Sequence, residues 1–286
     1  MGKKLIVNAD DFGICPETNK AVAELYAAGR ITSTSLLVSS EASGEAIDII
    51  KQTNIPFGVH LTLNSDFKDY LWGALYKQNS SLADEGGNLF YDTSVIAKKA
   101  KGKDVTKECE AQIAVCREAG ITPDHLDNHS GTMYGINMRL FFINAFRLSK
   151  KYALPFRFPK RPTFLDGYFK GNTPAVIKAL HKGIVICSKI MGATLIDDMI
   201  SNPYPIKDIP GYKALEAYYL NAITSIKDGV TELFLHPSYD SPKYAATTPE
   251  WKKRQYELEF LFSPAFENRI RDEGIELISY KDIKSH

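Results

Sequence analysis

Leu5-Ile6-Val7-Asn8-Ala9-Asp10-Asp11-Phe12-Gly13 is the stretch whose reading decides the fold. A short apolar run ends in two adjacent carboxylates, and Pro16 and Glu17 then open a helix-like segment. A buried strand that feeds a loop and then a helix is the opening unit of a parallel α/β fold. Neighbouring strand residues point to opposite faces, so Asp10 and Asp11 can serve different partners. Taken alone, the stretch also reads as a turn, because Asp bonds its own backbone and Gly accepts positive φ. The rest of the chain weighs against the turn.

Downstream, residues 18–28 have helical spacing and Gly29 closes them. A strand is expected over 34–40 and a helix over 42–53. Residues 57–64 alternate cleanly: Phe57, Val59, Leu61 and Leu63 share one face, and Gly58, His60, Thr62 and Asn64 the other. Residues 65–103 show no period and read as an insertion over the site. A helix over 104–118 follows. A short strand over 124–127 then puts His125 and Asp127 on one face, with 128–131 as its exit loop. Further helices are expected over 138–151, 173–191, 212–228, 250–262 and 264–273. Further strands are expected over 156–159, 193–196, 231–237 and 275–279, with a proline-bearing loop at 197–211. This alternation and the length of 286 residues predict an α/β chain. The expected form is a single-domain (β/α) barrel over 1–286, distorted and TIM-like, with an open doubly wound sheet as second choice.

Composition narrows the function. Apolar residues at 44% supply a core, and a formal charge of +1 gives no strong attraction to nucleic acid or to an anionic membrane. No apolar run approaches the roughly 20 residues of a spanning helix. Met1-Gly2-Lys3-Lys4 precedes only a brief apolar run, so it reads as a first strand and not a signal peptide. Cys15, Cys109, Cys116 and Cys187 form no Cys-x-x-Cys pair, which fits reduced thiols in a cytoplasmic protein.

In a parallel barrel the chemistry sits at the C-terminal strand ends. Asp10, Asp11, His60, Asn64, His125, Asp127, Arg157 and His236 all fall at or near such ends, and His129 follows closely. One carboxylate with two imidazoles is a common protein set for an open divalent site. Asp11, His60 and His125 are the expected ligands. Asp10 is then the expected base, and His236 the acid or oxyanion stabiliser. Arg157 would orient Asp10 or bind substrate. Asn64, Asp127 and His129 are expected to bind substrate or to support the ligands, since a ligand imidazole usually donates its other N–H.

Four segments together resemble the YdjC-like carbohydrate deacetylases, which include chitooligosaccharide deacetylases. They are Asn8-Ala9-Asp10-Asp11-Phe12-Gly13, Gly58-Val59-His60-Leu61-Thr62, His125-Leu126-Asp127-Asn128-His129 and Leu235-His236-Pro237. The resemblance implies a distorted (β/α) barrel and a divalent metal on Asp11, His60 and His125. It also implies hydrolysis of N-acetyl groups from acetylated mono- or oligosaccharides with Asp10 as base, and a homodimer. Some relatives carry a longer histidine cluster, whereas Ser130-Gly131 follow His129 here. Mg2+ is the ion the resemblance implies. Zn2+ is its physical rival, because two imidazoles suit zinc better than magnesium. Tyr70, Trp72, Phe164, Tyr168, Tyr204, Tyr239 and Tyr244 are expected in loops at or near the barrel mouth, most of them as loop packing and the rest as faces for a sugar. Two other functions fit the residues. One is a metal-free glycoside hydrolase using Asp10 and Asp127 at about 5–9.5 Å; the other is a non-catalytic, metal-containing sugar-binding protein.

Overall fold

The computed structural model describes residues 2–78, 80–135 and 139–283. The chain starts with β1 (Lys3–Phe12), α1 (Pro16–Ala27), β2 (Ser33–Leu36), α2 (Ser43–Thr53) and β3 (Phe57–Leu61). It continues with α3 (Thr93–Lys99), α4 (Gly102–Glu118), β4 (His125–Asn128), α5 (Phe142–Tyr152), β5 (Phe156–Pro159), α6 (Thr163–Tyr168) and α7 (Ala175–Met191). Then come β6 (Leu195–Ile196), β7 (Asp198–Ile200), α8 (Tyr212–Thr224), β8 (Gly229–Leu235), α9 (Pro242–Ala245), α10 (Trp251–Phe262), α11 (Pro264–Asp272) and β9 (Glu276–Leu277).

The strands are parallel in the order β6-β5-β4-β3-β2-β1-β8-β7, a nearly closed barrel. Its seam falls between β6 and β7, which Asp197 alone separates. The Asp197 N–H donates to the Val230 carbonyl, and the Asp197 carbonyl accepts from the Arg161 N–H. One residue therefore joins the backbone on both sides of the seam. The sequence reading places β7 inside the proline-bearing loop. The strand is only three residues long, and neighbouring prolines mask it. The last strand is also shorter than expected and leaves the barrel order, pairing with the start of β1 at Lys4 and Leu5. The start of the helix expected from Met138 lies outside the described residues; α5 is helical from Phe142.

β1 is buried along most of its length, as a strand covered on both faces must be. Leu5, Val7 and Ala9 face outward into the main core with Val59, Leu61, Leu126, Phe156, Leu233 and Leu235. Alternation turns the intervening residues inward, so Asn8, Asp10, His60, Asp127, Arg157 and Glu232 fill the barrel with polar groups. At the N-terminal end of the barrel, Tyr280 packs with Ile6, Ile196, Met199 and Ile278.

The segment after β3 is tied down by α4. Glu108 accepts backbone N–H groups from Leu75 at 3.2 Å and Tyr76 at 2.8 Å. Gln112 exchanges bonds with both backbone groups of Thr62 at 2.9 and 2.7 Å. These pairings satisfy buried polar groups that would otherwise be costly. Phe67 and Trp72 from this segment pack with Tyr244, Trp251, Ile14, Cys15 and Leu37.

Candidate active site

A register irregularity between Ala9 and Phe12 in the β1–β2 ladder falls on the two aspartates. Asp11 has φ +63°, an uncommon conformation for a residue other than glycine. Bulges of this kind re-aim side chains beside active sites. Both carboxylates thereby join one cluster, where simple alternation would have turned them apart.

Asp10 is held from the barrel interior. Arg157 Nη1 donates to Oδ2 and Nη2 to Oδ1, each at 2.7 Å, and Asn8 Nδ2 donates to Oδ1 at 2.8 Å. Arg157 also meets Asp127 Oδ2 at 2.7 Å and donates through Nε to Glu232 Oε1 at 2.8 Å. Glu232 accepts from Tyr280 as well. Burial opposes the Arg157 charge, but Asp10, Asp127 and Glu232 outweigh it and hold the guanidinium well above its usual range.

Asp11 is the centre of a second group. Its Oδ1 lies 3.3 Å from His60 Nε2 and 3.1 Å from His129 Nδ1, and its Oδ2 accepts from Arg254 Nη2 at 2.6 Å. Burial would raise this carboxyl; Arg254, His129 and His60 outweigh it and hold it well below the usual range. Each imidazole is anchored through its other nitrogen. His60 Nδ1 is 2.7 Å from Asp127 Oδ1, and His129 Nε2 is 2.7 Å from Asp66 Oδ1. Burial opposes protonation of both rings, yet Asp127 and Asp11 bring His60 to about 10, and Asp66 and Asp11 bring His129 to about 9.

His125 is not in this group. It is the first residue of β4 and pairs with Gly58, while Asp127 pairs with His60. The ring therefore sits toward the N-terminal end of the barrel. Its Nδ1 is 2.6 Å from Asp124 Oδ1, and its face stacks on Tyr280 at 3.8 Å between centroids. A Cβ on Gly58 would lie 2.4 Å from His125 Nε2, so glycine makes the space for this ring. Asp11, His60 and His129 each offer a ligand atom within 4.8 Å of the others. The metal expectation for His125 thus meets a geometry that gathers His129 instead.

His236 follows β8 on the far side of Asp10, with Nε2 3.9 Å from Asp10 Oδ2. Its backbone N–H donates to Glu257 Oε2 at 2.7 Å, and Tyr219 donates to Glu257 Oε1 at 2.6 Å. Lost solvation holds the ring below its usual pKa, against the pull of Asp11 and Asp10. Asn64 is buried at the exit of β3, with Nδ2 3.5 Å from Ser130 Oγ. Trp72 lies 5.4 Å from the His129 ring and covers this side of the site.

Sequence reasoning missed Asp66, Glu232, Arg254 and Glu257. Glu232 did carry a signal, since an acid between Thr231 and Leu233 in a buried strand needs a partner. Arg254 and Glu257 read as ordinary polar positions on a helix. Among the loop aromatics, Trp72 and Tyr244 are buried, whereas Tyr70 is exposed. Phe164 and Tyr168 line a cavity of about 280 Å³ with Met199, Tyr218 and Thr231, none of which belongs to the Asp10 and Asp11 cluster. All four cysteines are free, and among the described residues no helix is long and apolar enough to cross a membrane.

Comparison with known proteins agrees with this architecture. The family model described as YdjC-like protein matches residues 4–272. A carbohydrate deacetylase from Enterococcus faecalis is 29% identical over 98% of both chains. One from Thermoanaerobacter pseudethanolicus is 28% identical over 99% of this chain and 100% of its own. A crystal structure from Enterococcus faecalis V583, of a protein described as a proposed cellobiose-phosphate cleavage protein, superposes with a TM-score of 0.78 at 26% identity, covering 98% of each chain. The chain belongs to the YdjC-like family.

Proposed function

We propose that this barrel is a metal-dependent carbohydrate deacetylase that hydrolyses N-acetyl groups on sugars. The observation that carries the reading is the convergence of Asp11 Oδ1, His60 Nε2 and His129 Nδ1, with Asp10 beside them. The donor set fits a divalent cation: one carboxylate and two imidazoles, each ring held from behind by a carboxylate. Carboxyl groups of Asp10, Asp11, Asp66, Asp127 and Glu232 also outnumber the guanidinium groups of Arg157 and Arg254 there. In this reading Asp11, His60 and His129 hold the ion, and His125 supports the barrel. A bound divalent ion lowers the pKa of water and polarises a carbonyl oxygen. Zn2+ suits the two imidazoles, and Mg2+ is the ion the family resemblance implies.

The protein's own groups carry the proton traffic. Water adds to the acetamide carbonyl carbon and gives its proton to Asp10. Oδ1 of Asp10 already accepts from Asn8 and Arg157, whereas Oδ2 accepts from Arg157 and faces His236. Oδ2 is therefore the oxygen with a lone pair to offer. Breaking the C–N bond requires a proton on the departing amine. His236 supplies it by relay: the ring, held below its usual pKa and so neutral, takes from Asp10 Oδ2 the proton that came from water and passes it to the amine, which returns both groups to their starting states. The products are acetate and the free amino sugar. Asn64 and the aromatic cover around Trp72 line the approach. The segment 65–103 acts as an insertion on a single barrel domain.

A two-carboxylate glycosidase is disfavoured because Asp127 is fully buried and committed to Arg157, His60 and Ser35. Mass analysis of products from di-N-acetylchitobiose tests the choice. Loss of acetyl with the glycosidic bond intact supports the deacetylase, and cleavage to monosaccharides without acetyl loss overturns it.

A further inference from the structure

Helix α10 reaches the site with one face. Trp251, Arg254, Glu257 and Leu258 recur at helical spacing, and Trp251, Glu257 and Leu258 are buried. Arg254 crosses from this face to Asp11 and donates to Oδ2 at 2.6 Å. The Trp251 ring lies 4.9 Å from its guanidinium carbon and limits where the side chain can go. The two oxygens of Asp11 are thus divided: Oδ1 faces His60 and His129, and Oδ2 is taken by a cation of the protein's own.

A positive charge beside a cation site opposes metal binding electrostatically, so Arg254 is poorly explained as a device for tight binding. Its geometry serves a different end. A free carboxylate can grip a metal through both oxygens, and the second contact takes a coordination position that water or substrate needs. We propose that Arg254 is a positioning residue that occupies Asp11 Oδ2 and restricts Asp11 to one metal-facing oxygen, so that the site stays open. This inference rests on Asp11, His60 and His129 being the ligands.

The test uses cobalt(II) as the probe, because its visible absorption reports coordination. Wild type, Arg254→Met and Arg254→Lys are freed of metal, checked for folding by circular dichroism, and titrated with cobalt by absorption and calorimetry. Arg254→Met is expected to bind at least as tightly as wild type, with an altered spectrum and a fall in acetate release of about tenfold or more. Arg254→Lys, whose ammonium can still cover Oδ2, is expected to restore the wild-type spectrum. Superimposable spectra for wild type and Arg254→Met overturn the proposal, as does cobalt affinity falling tenfold or more in Arg254→Met. If wild type binds no cobalt at all, the ligand assignment itself fails and the inference falls with it.

Discussion

Arg157 meets Asp10 with two parallel bonds of 2.7 Å and uses the same guanidinium to reach Asp127 and Glu232. One buried cation thus balances three buried carboxylates. Removing it leaves charges in a low-dielectric interior, where breaking a buried pair typically costs about 3–5 kcal/mol. Arg157→Met is expected to lose at least that much in urea unfolding. Arg157→Lys keeps the charge but loses the fork, and should recover stability in part without recovering acetate release. A loss below about 1 kcal/mol in Arg157→Met would show that the network is not stabilising in this way.

His129 and His125 separate by metal affinity. His129→Ala should abolish tight binding of zinc or magnesium in calorimetric titration. His125→Ala should keep affinity within a few-fold of wild type, while lowering the melting temperature through its lost stack on Tyr280. The opposite pattern would restore His125 as the ligand.

Protons report the same site. In the metal-free protein His60 is raised to about 10 and His129 to about 9, against an ordinary 6.5. Because these folded values lie above the unfolded one, the stability they contribute is full below about 6.5 and disappears as pH rises through about 9 to 10. Asp11 is shifted the other way, so its contribution is present above about 3.8 and is lost on acidification. The metal-free melting temperature should therefore peak in mildly acidic buffer and fall toward alkaline pH. Metal ligands must be deprotonated, so near pH 7 binding should release about two protons, one from each ring. Calorimetry in buffers of different ionisation enthalpy measures that number; a value near zero would contradict the protonated resting state.

Gly58 tests the packing beneath the site. A methyl there would collide with the His125 ring at 2.4 Å. Gly58→Ala should destabilise the protein by about 1–3 kcal/mol, the usual cost of overpacking. Unfolding at the wild-type urea midpoint would mean that the ring has room to move.

Much of this was legible in the sequence because strand alternation is a local signal. The pattern over 57–64 turns His60 inward, and the apolar run before Asp10 marks a buried strand. The separation of His125 from the Asp11, His60 and His129 group shows where local reading stops. A strand over 124–127 already puts His125 second of four, and β4 begins at His125, so the ring lies at the N-terminal end of the strand and not at its C-terminal end. The depth of each residue is set by the pairing of His60 with Asp127, a tertiary fact. His125 lies two positions before Asp127, roughly 6–7 Å along a strand. Arg254 lay beyond reach for another reason. It stands beside Lys252 and Lys253 on a helix, where cations usually face solvent, and only the path of α10 past β1 brings it to Asp11.

The most direct test of the central claim is acetate release from di-N-acetylchitobiose. Metal-free protein would be assayed alone and after addition of zinc, magnesium, manganese or nickel, beside Asp10→Asn and His129→Ala. The account predicts no acetate without metal and release with at least one ion. It predicts no turnover by Asp10→Asn despite retained metal binding, and neither binding nor turnover by His129→Ala. Full acetate release by metal-free protein, or by Asp10→Asn, would contradict it.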